Sequence, residues 1–269
     1  MPPIVTLLTD FGYRDGYVGV MKGVIAGICP AAQLIDLSHD IPPQNIAAAR
    51  FTLMNAYPYF PDGTVHLVVV DPGVGTARRA IALQTPKGYL VGPDNGVLSG
   101  VFEQVEVSQA VELTEAKYWR SPQPSHTFHG RDIFAAAAAH LATGVDLTKL
   151  GKDVAPKSLI RIAIPQPKIT ADRIVGSIQH IDHFGNLVTT IPAAAILPKS
   201  GSANATHHWR MQIGAVEIPV RQAYGDVETG QAIALVGSHG WVEIAVNGGS
   251  AQTRLRLAIG DTVQLMARS

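Results

Sequence analysis

The chain has 269 residues, 46% of them hydrophobic and 16% charged, with 21 basic residues balanced by 21 acidic ones. This length suits one large domain or two smaller ones with a proper core. Zero formal net charge argues against nucleic acid or an anionic membrane surface as the main partner, because both select for basic excess.

The amino terminus, MPPIVTLLTDFG, lacks the basic n-region and long apolar core of a signal peptide. No apolar run reaches the roughly 18 residues of a membrane helix, so a cytoplasmic setting is expected. The first predicted element is the strand IVTLLTD, ending at Asp10. DGYVGVMKGVIAGIC has helical spacing and stops at Pro30; AQLIDLSH is a second strand, and PPQNIAAARFTLMNAYPYF a helix with proline near its start. The lone Cys29 excludes an intrachain disulfide framework and a cysteine zinc site, and its apolar neighbours mark it as a buried small hydrophobe.

VHLVVVDPGVGTARRAI follows, a buried strand that breaks at Asp71-Pro72-Gly73 and meets Arg78 and Arg79. RAIALQT and GYLVGPDN are strands, NGVLSGVFEQ is helical, and GRDIFAAAAAHLATG is an alanine-rich helix closed by Gly144. This alternation implies an α/β fold with a mostly parallel sheet covered on both faces. Pro165 and Pro167 mark a change of texture. Beyond them RIVGSIQHID, LVTTI, HHWRMQIG, VEIPVR, QAIALVGS, WVEIAV and TRLRLAIGDTVQLMA read as short strands of a small antiparallel β domain or barrel. The expected organisation is an α/β domain over 1–163, a linker over 164–172 and a β domain over 173–269.

Ligands of open α/β sheets bind outside the carboxyl ends of the strands. Asp10, Asp71 and Asp94 fall at such ends, each with a glycine close behind. One such aspartate is more often a cap or turn former, whereas three at one edge would form a cluster. His126, His129 and Asp132 allow a metallohydrolase reading, against the plainer one that Asp132 favours a helix's first turn. There is no HExxH motif, Walker loop or dinucleotide fingerprint. In IDHFGNLVTTI, Phe184 could stack on a base and Asn186 could meet an adenine edge, while the bland alternative is a β-turn.

Taken in order, TDFGYRDGYVGVMKGVI, DLSHDIPPQNI, VVVDPGVGTARRAI, GPDNGVL, TFHGRDIFAAAAAHL, IDHFGNLVTT and VGSHGWVEIAVNGGSA resemble the S-adenosyl-L-methionine (SAM) hydrolases. These are also called SAM hydroxide adenosyltransferases and are related to the SAM-dependent fluorinase and chlorinase. The resemblance implies a Rossmann-like α/β domain, then a small β-barrel domain. It also implies a homotrimer with active sites between one subunit's first domain and its neighbour's second, and cleavage of SAM by water to adenosine and L-methionine. SAM is the substrate; no cofactor and no metal are implied.

The family's water-handling Asp, Arg and His fall on Asp71, Arg78 and His129, and its ribose-binding carboxylate on Asp10. Asn95 is expected at the substrate, Asp182 at the methionine amino group, and Phe184 and Asn186 at adenine. Ser238 and Glu243 are expected near the methionine end, and Val246 to Gly248 at the adenine edge. The halogenating branch carries Tyr in place of Asp71 and has a long insertion where this chain has only Pro86 and Lys87, so water is favoured over halide. The competing readings are a metal-dependent phosphoesterase or nucleotidase built on Asp10, Asp71, Asp94 and His129, and a non-catalytic SAM- or adenosine-binding protein. His207, His208 and Trp209 are expected to be surface or interface residues.

Overall fold

A computed structural model describes residues 2–197 and 209–267; His207 and His208 lie outside them. The chain divides into two compact units, Met1–Ile162 and Ala163–Ser269. Among the described residues, no helix is long and apolar enough to cross a membrane.

Unit 1 contains, in chain order, β1 (Ile4–Thr9), α1 (Tyr17–Ile28), β2 (Gln33–Ser38), α2 (Ile46–Ala56), β3 (Thr64–Val69), β4 (Ala80–Thr85), β5 (Gly88–Pro93), α3 (Ser99–Phe102), β6 (Gln109–Glu112), α4 (Ala135–Ala142) and β7 (Lys152–Asp153). Local chemistry sets several of these bounds. Helix α1 ends just before Pro30, which disfavours helical geometry in the residue preceding it. Helix α2 starts after Asn45, whose Oδ1 accepts the Ala48 N–H at 2.9 Å. Helix α4 follows a π-helical turn, Gly130–Phe134, and its buried alanines let it lie close against α1 and β3.

The sheet order is β2-β1-β3-β5-β4-β6-β7. Strands β2, β1, β3 and β5 run parallel, while β4, β6 and β7 pair antiparallel. The expectation of a mostly parallel sheet therefore holds for one half only. The reason is local: Pro86 and Lys87 alone join β4 to β5, and so short a link permits only a hairpin. Strand β3 is buried on both sides. Val65, Leu67 and Val69 enter the core beneath α1 and α4, while Val68 joins Leu53 of α2 and Val101 of α3 on the other face.

Unit 2 contains β8 (Lys168–Ile169), β9 (Arg173–Ile181), β10 (Leu187–Pro192), β11 (Trp209–Ile213), β12 (Val216–Pro219), β13 (Ala232–Val236), β14 (Trp241–Val246), α5 (Ala251–Leu255) and β15 (Thr262–Ala267). Strand β8 lies within the stretch expected as a linker and pairs with β9. The remaining strands form an antiparallel sheet in the order β12-β11-β15-β9-β10-β14-β13. A bridge between Val220 and Ala234 brings the two ends of that order together, so the sheet is nearly a barrel. TRLRLAIGDTVQLMA does not form one strand. Ser250 caps α5 by accepting the Thr253 N–H, Arg256 takes a left-handed φ of 55° at the helix end, and only the later residues form β15.

Candidate active site

Three adjacent parallel strands, β1, β3 and β5, deliver Asp10, Asp71 and Asp94 to the same carboxyl edge. The cluster foreseen in the sequence is thus formed, but its members have different partners. Asp10 and Asp71 line a cavity of about 410 Å3 with Phe11, Tyr17, Gln44, Phe128 and His129. Asp94 sits behind it, buried, with Oδ2 accepting from Arg79 Nε at 2.9 Å and Oδ1 from the Ile160 N–H at 2.9 Å.

The segment from Asp71 to Arg79 links β3 to β4 across the end of β5, which lies between them in the sheet. Because β4 runs antiparallel, its first residues return to the edge that β3 has just left. Arg78 Nε donates to Asp71 Oδ1 and Oδ2 at 3.0 Å each, and its Nη2 also pairs with Asp71 Oδ2. The same Nη2 donates to His129 Nδ1 at 2.9 Å. The ion pair is nearly withdrawn from water: the Arg78 and Asp71 side chains are 10% and 5% exposed. Phe134 closes its far side, with the guanidinium carbon 5.1 Å from the ring centroid. Gly75 is required by this fold-back. Its φ is 76°, and a Cβ there would stand 2.4 Å from the His126 carbonyl oxygen.

Burial, reinforced by the Arg78 cation, holds the His129 pKa below the ordinary histidine value. Since Arg78 can only donate, His129 Nδ1 must accept, and the neutral ring carries its proton on Nε2. Asp10 Oδ2 accepts the Gln44 N–H at 2.7 Å, which orients the carboxylate. Gln44 has a left-handed φ of 63°, so the loop after β2 is held in an unusual conformation at this contact. Phe11, Tyr17 and Phe128 form a wall, with ring centroids 5.2 to 5.8 Å apart.

Asp132 belongs to another arrangement. It is buried, bonded by Arg131 Nε at 2.6 Å and by the Ser125 N–H at 2.8 Å, and Arg131's hydrogen bond holds its pKa below the usual carboxylate value. No group of three or more His, Cys, Asp or Glu among the described residues is placed to hold a metal ion. Asn95 also stays outside the cavity lining. Its Nδ2 donates to the Val70 carbonyl at 2.9 Å and its Oδ1 accepts the Val97 N–H at 3.1 Å, so it ties the end of β5 to the end of β3.

Unit 2 has its own cavity, of about 470 Å3, lined by Phe184, Asn186, Tyr224, Val246, Asn247, Gly248 and Gly249. Asp182 organises one rim. Its Oδ1 accepts the Phe184 and Asn186 N–H groups at 2.9 and 2.8 Å, and its Oδ2 accepts Asn186 Nδ2 at 2.9 Å. That leaves Asn186 Oδ1 for a ligand. Gly185 has a φ of 81°, and a Cβ there would lie 2.1 Å from Ser250 Oγ, so the turn needs glycine. Phe184 is 73% exposed, its ring open at the cavity. Glu243 is buried and bonded to Tyr224 and His239. Ser238 is exposed on the turn after β13 and does not line the cavity.

Sequence reasoning missed Gln44 and Tyr224. Neither stands at a strand end or in a polar cluster, and a lone glutamine or tyrosine in a loop carries no signal of its own.

Residues 5–151 match the family description "SAM hydroxide adenosyltransferase N-terminal domain", and residues 176–264 the corresponding C-terminal domain. A Salinispora tropica protein named (R)-S-adenosyl-L-methionine hydrolase is 39% identical, with 98% of each chain covered. A Nocardia brasiliensis protein named fluorinase is 29% identical, over 98% of this chain and 96% of its own. The crystal structure of an uncharacterized conserved protein from Thermotoga maritima superposes with a TM-score of 0.90 at 39% identity, covering 97% of this chain and 99% of that one.

Proposed function

The chain belongs to the SAM hydroxide adenosyltransferase family, and from that premise we propose that it hydrolyses SAM to adenosine and L-methionine by attack of water at C5′. The observation that carries this reading is the Asp71–Arg78–His129 chain of contacts, which borders one cavity together with Asp10.

The chemistry follows from the charges. SAM carries a sulfonium, which is its own leaving group, so the reaction needs no cofactor, only a water held in line behind the C–S bond. The new bond joins the water oxygen to C5′. The C5′–S bond breaks and its electron pair stays on sulfur, giving the neutral thioether of methionine, while the water releases one proton. Asp71 accepts a hydrogen bond from the water as that proton becomes acidic, and its charge favours a cationic substrate. Arg78 fixes the Asp71 rotamer from behind. His129, neutral and protonated on Nε2, donates to the water oxygen and leaves its remaining lone pair aimed at carbon. Asp10, held by Gln44, has Oδ1 to offer to the ribose hydroxyls.

The unit 2 cavity suits the base: Phe184 offers a ring face and Asn186 Oδ1 accepts from an exocyclic amine. Asp182 is assigned to the methionine amino group, and the Val246–Gly248 backbone to the adenine edge. The two units are read as the family's Rossmann-like and β-barrel domains, and a cytoplasmic location belongs to the same reading. So does a homotrimer in which one subunit's unit 1 site is completed by a neighbour's unit 2 site, testable by analytical ultracentrifugation.

Incubating the protein with SAM in ¹⁸O-water and separating the products tests the reaction itself. The label is expected in the 5′-hydroxyl of adenosine, with an equal amount of methionine formed. Adenosine without label excludes water as the nucleophile, and no adenosine at all refutes the hydrolase reading.

A further inference from the structure

Strand β14 sends Val242, Ile244 and Val246 into the core of unit 2, so Glu243 projects from the opposite face. A lone carboxylate there should reach for water, yet Glu243 is 3% exposed. Its two oxygens are taken by two different segments. The Tyr224 hydroxyl donates to Oε1 at 2.5 Å, and His239 Nε2 lies 2.9 Å from Oε2. His239 Nδ1 accepts the Trp241 N–H at 3.2 Å, so in the neutral ring Nε2 carries the proton and donates to the carboxylate.

The surroundings are shaped for this bond. A Cβ on Gly237 would stand 2.5 Å from Glu243 Oε2 and 2.5 Å from His239 Nε2, so only glycine leaves room. Burial pulls the Glu243 pKa up, but the hydrogen bonds from His239 and Tyr224 outweigh it and hold the group below the usual glutamate value. Burial, then the bond to Glu243, pushes the Tyr224 phenol up, so it remains a donor. Asp182 and His180 bear on the same group, Asp182 through the charge it places on Tyr224 and His180 through His239.

Tyr224 comes from the short turn Tyr224–Asp226 and lines the unit 2 cavity together with Phe184 and Asn186. Without a tether its half-exposed ring would be free to swing away. We infer that Glu243 is a positioning residue: it latches Tyr224 and the turn bearing His239 to the cavity wall and so preforms the pocket for a planar base. Buried and bonded at both oxygens, it has no open face for the amino-acid end of the substrate, where the family resemblance had placed it. The identity of the base rests on the proposed SAM hydrolase function.

Calorimetric titration of the full chain with adenosine, and separately with L-methionine, tests the latch. Tyr224→Phe removes only the hydroxyl and keeps the exposed ring. Glu243→Leu removes both acceptors at once and leaves the Tyr224 hydroxyl and His239 Nε2–H without the carboxylate they share. Each variant is expected to weaken adenosine about tenfold and L-methionine less than about twofold, and the double variant to be no weaker than the worse single, because both cut one link. Losses that multiply, or weakened methionine with unchanged adenosine, overturn the inference. If Glu243→Leu fails to fold, Tyr224→Phe decides alone, and wild-type adenosine affinity in it is refuting. Absence of adenosine release from SAM by the wild type would overturn the hydrolase reading, while the adenosine titrations still decide the latch.

Discussion

Asp71→Asn removes one charge and one acceptor from the corner while keeping its shape. The Asp71 and Arg78 side chains are 5% and 10% exposed, so the pair is nearly desolvated. Stranding one member of such a pair costs about 3–5 kcal/mol. The amide oxygen still accepts one arginine N–H, which recovers about 1–1.5 kcal/mol, and His129 Nδ1 still accepts from Nη2. The expected net destabilisation is therefore about 1.5–4 kcal/mol, read as an earlier midpoint in denaturant. The rate effect is larger, because the amide cannot take up the developing proton: turnover should fall about 10²- to 10⁴-fold, or about 3–5 kcal/mol on the barrier. KM for SAM should change far less, since Asp10 and the aromatic wall are untouched. Adenosine is followed by chromatography at saturating SAM. Turnover within about threefold of wild type would remove Asp71 from the chemistry.

Three further outcomes follow from the same contacts. His129 works as the neutral ring, and burial with the Arg78 cation lowers its pKa from 6.5, so the acid limb of kcat/KM should lie below pH 6.5; a limb at or above that value contradicts the assigned role. His66 is fully buried, and its burial, aided by Lys87, lowers its pKa to about 4. The unfolded chain takes up this proton near pH 6.5 and the folded one only near pH 4, so His66 contributes stability above pH 6.5 that is lost as pH falls toward 4, about 3 kcal/mol in all. The unfolding free energies of wild type and His66→Gln should converge by that amount across this window, and parallel curves would refute it. Phe184→Ala should leave stability within about 0.5 kcal/mol but weaken adenosine by about 1–2 kcal/mol in equilibrium titration; unchanged affinity would remove the ring from the base site.

The sequence carries much of this where local chemistry decides the outcome. The apolar run before Asp71 and the alanine-rich helix after Gly130 form as their patterns indicate, and so do most of the short strands after residue 173, TRLRLAIGDTVQLMA apart. The placement of Asp10, Asp71 and Asp94 at strand ends was legible because a buried parallel strand ends where polarity returns. The antiparallel half of the sheet was less visible, although the two-residue link at Pro86-Lys87 contained it. Which aspartates face the cavity was not legible, because that depends on strand order and on which arginine reaches which carboxylate. Gln44 and Tyr224 act through backbone conformation and a buried partner, and neither leaves a pattern in composition.

Arg78 and Arg79 are neighbours in sequence, yet one bonds Asp71 at the cavity and the other bonds Asp94 behind it. The Asp94 N–H donates to the Arg79 carbonyl at 3.0 Å, continuing the β4–β5 ladder, and successive residues of an extended chain face opposite ways. The division of labour is therefore one of parity. What assigns each arginine is its odd or even distance from the hairpin at Pro86-Lys87, not its distance from Asp71. The loop between can change length without exchanging the two roles, and the two arginines are not spare copies of each other.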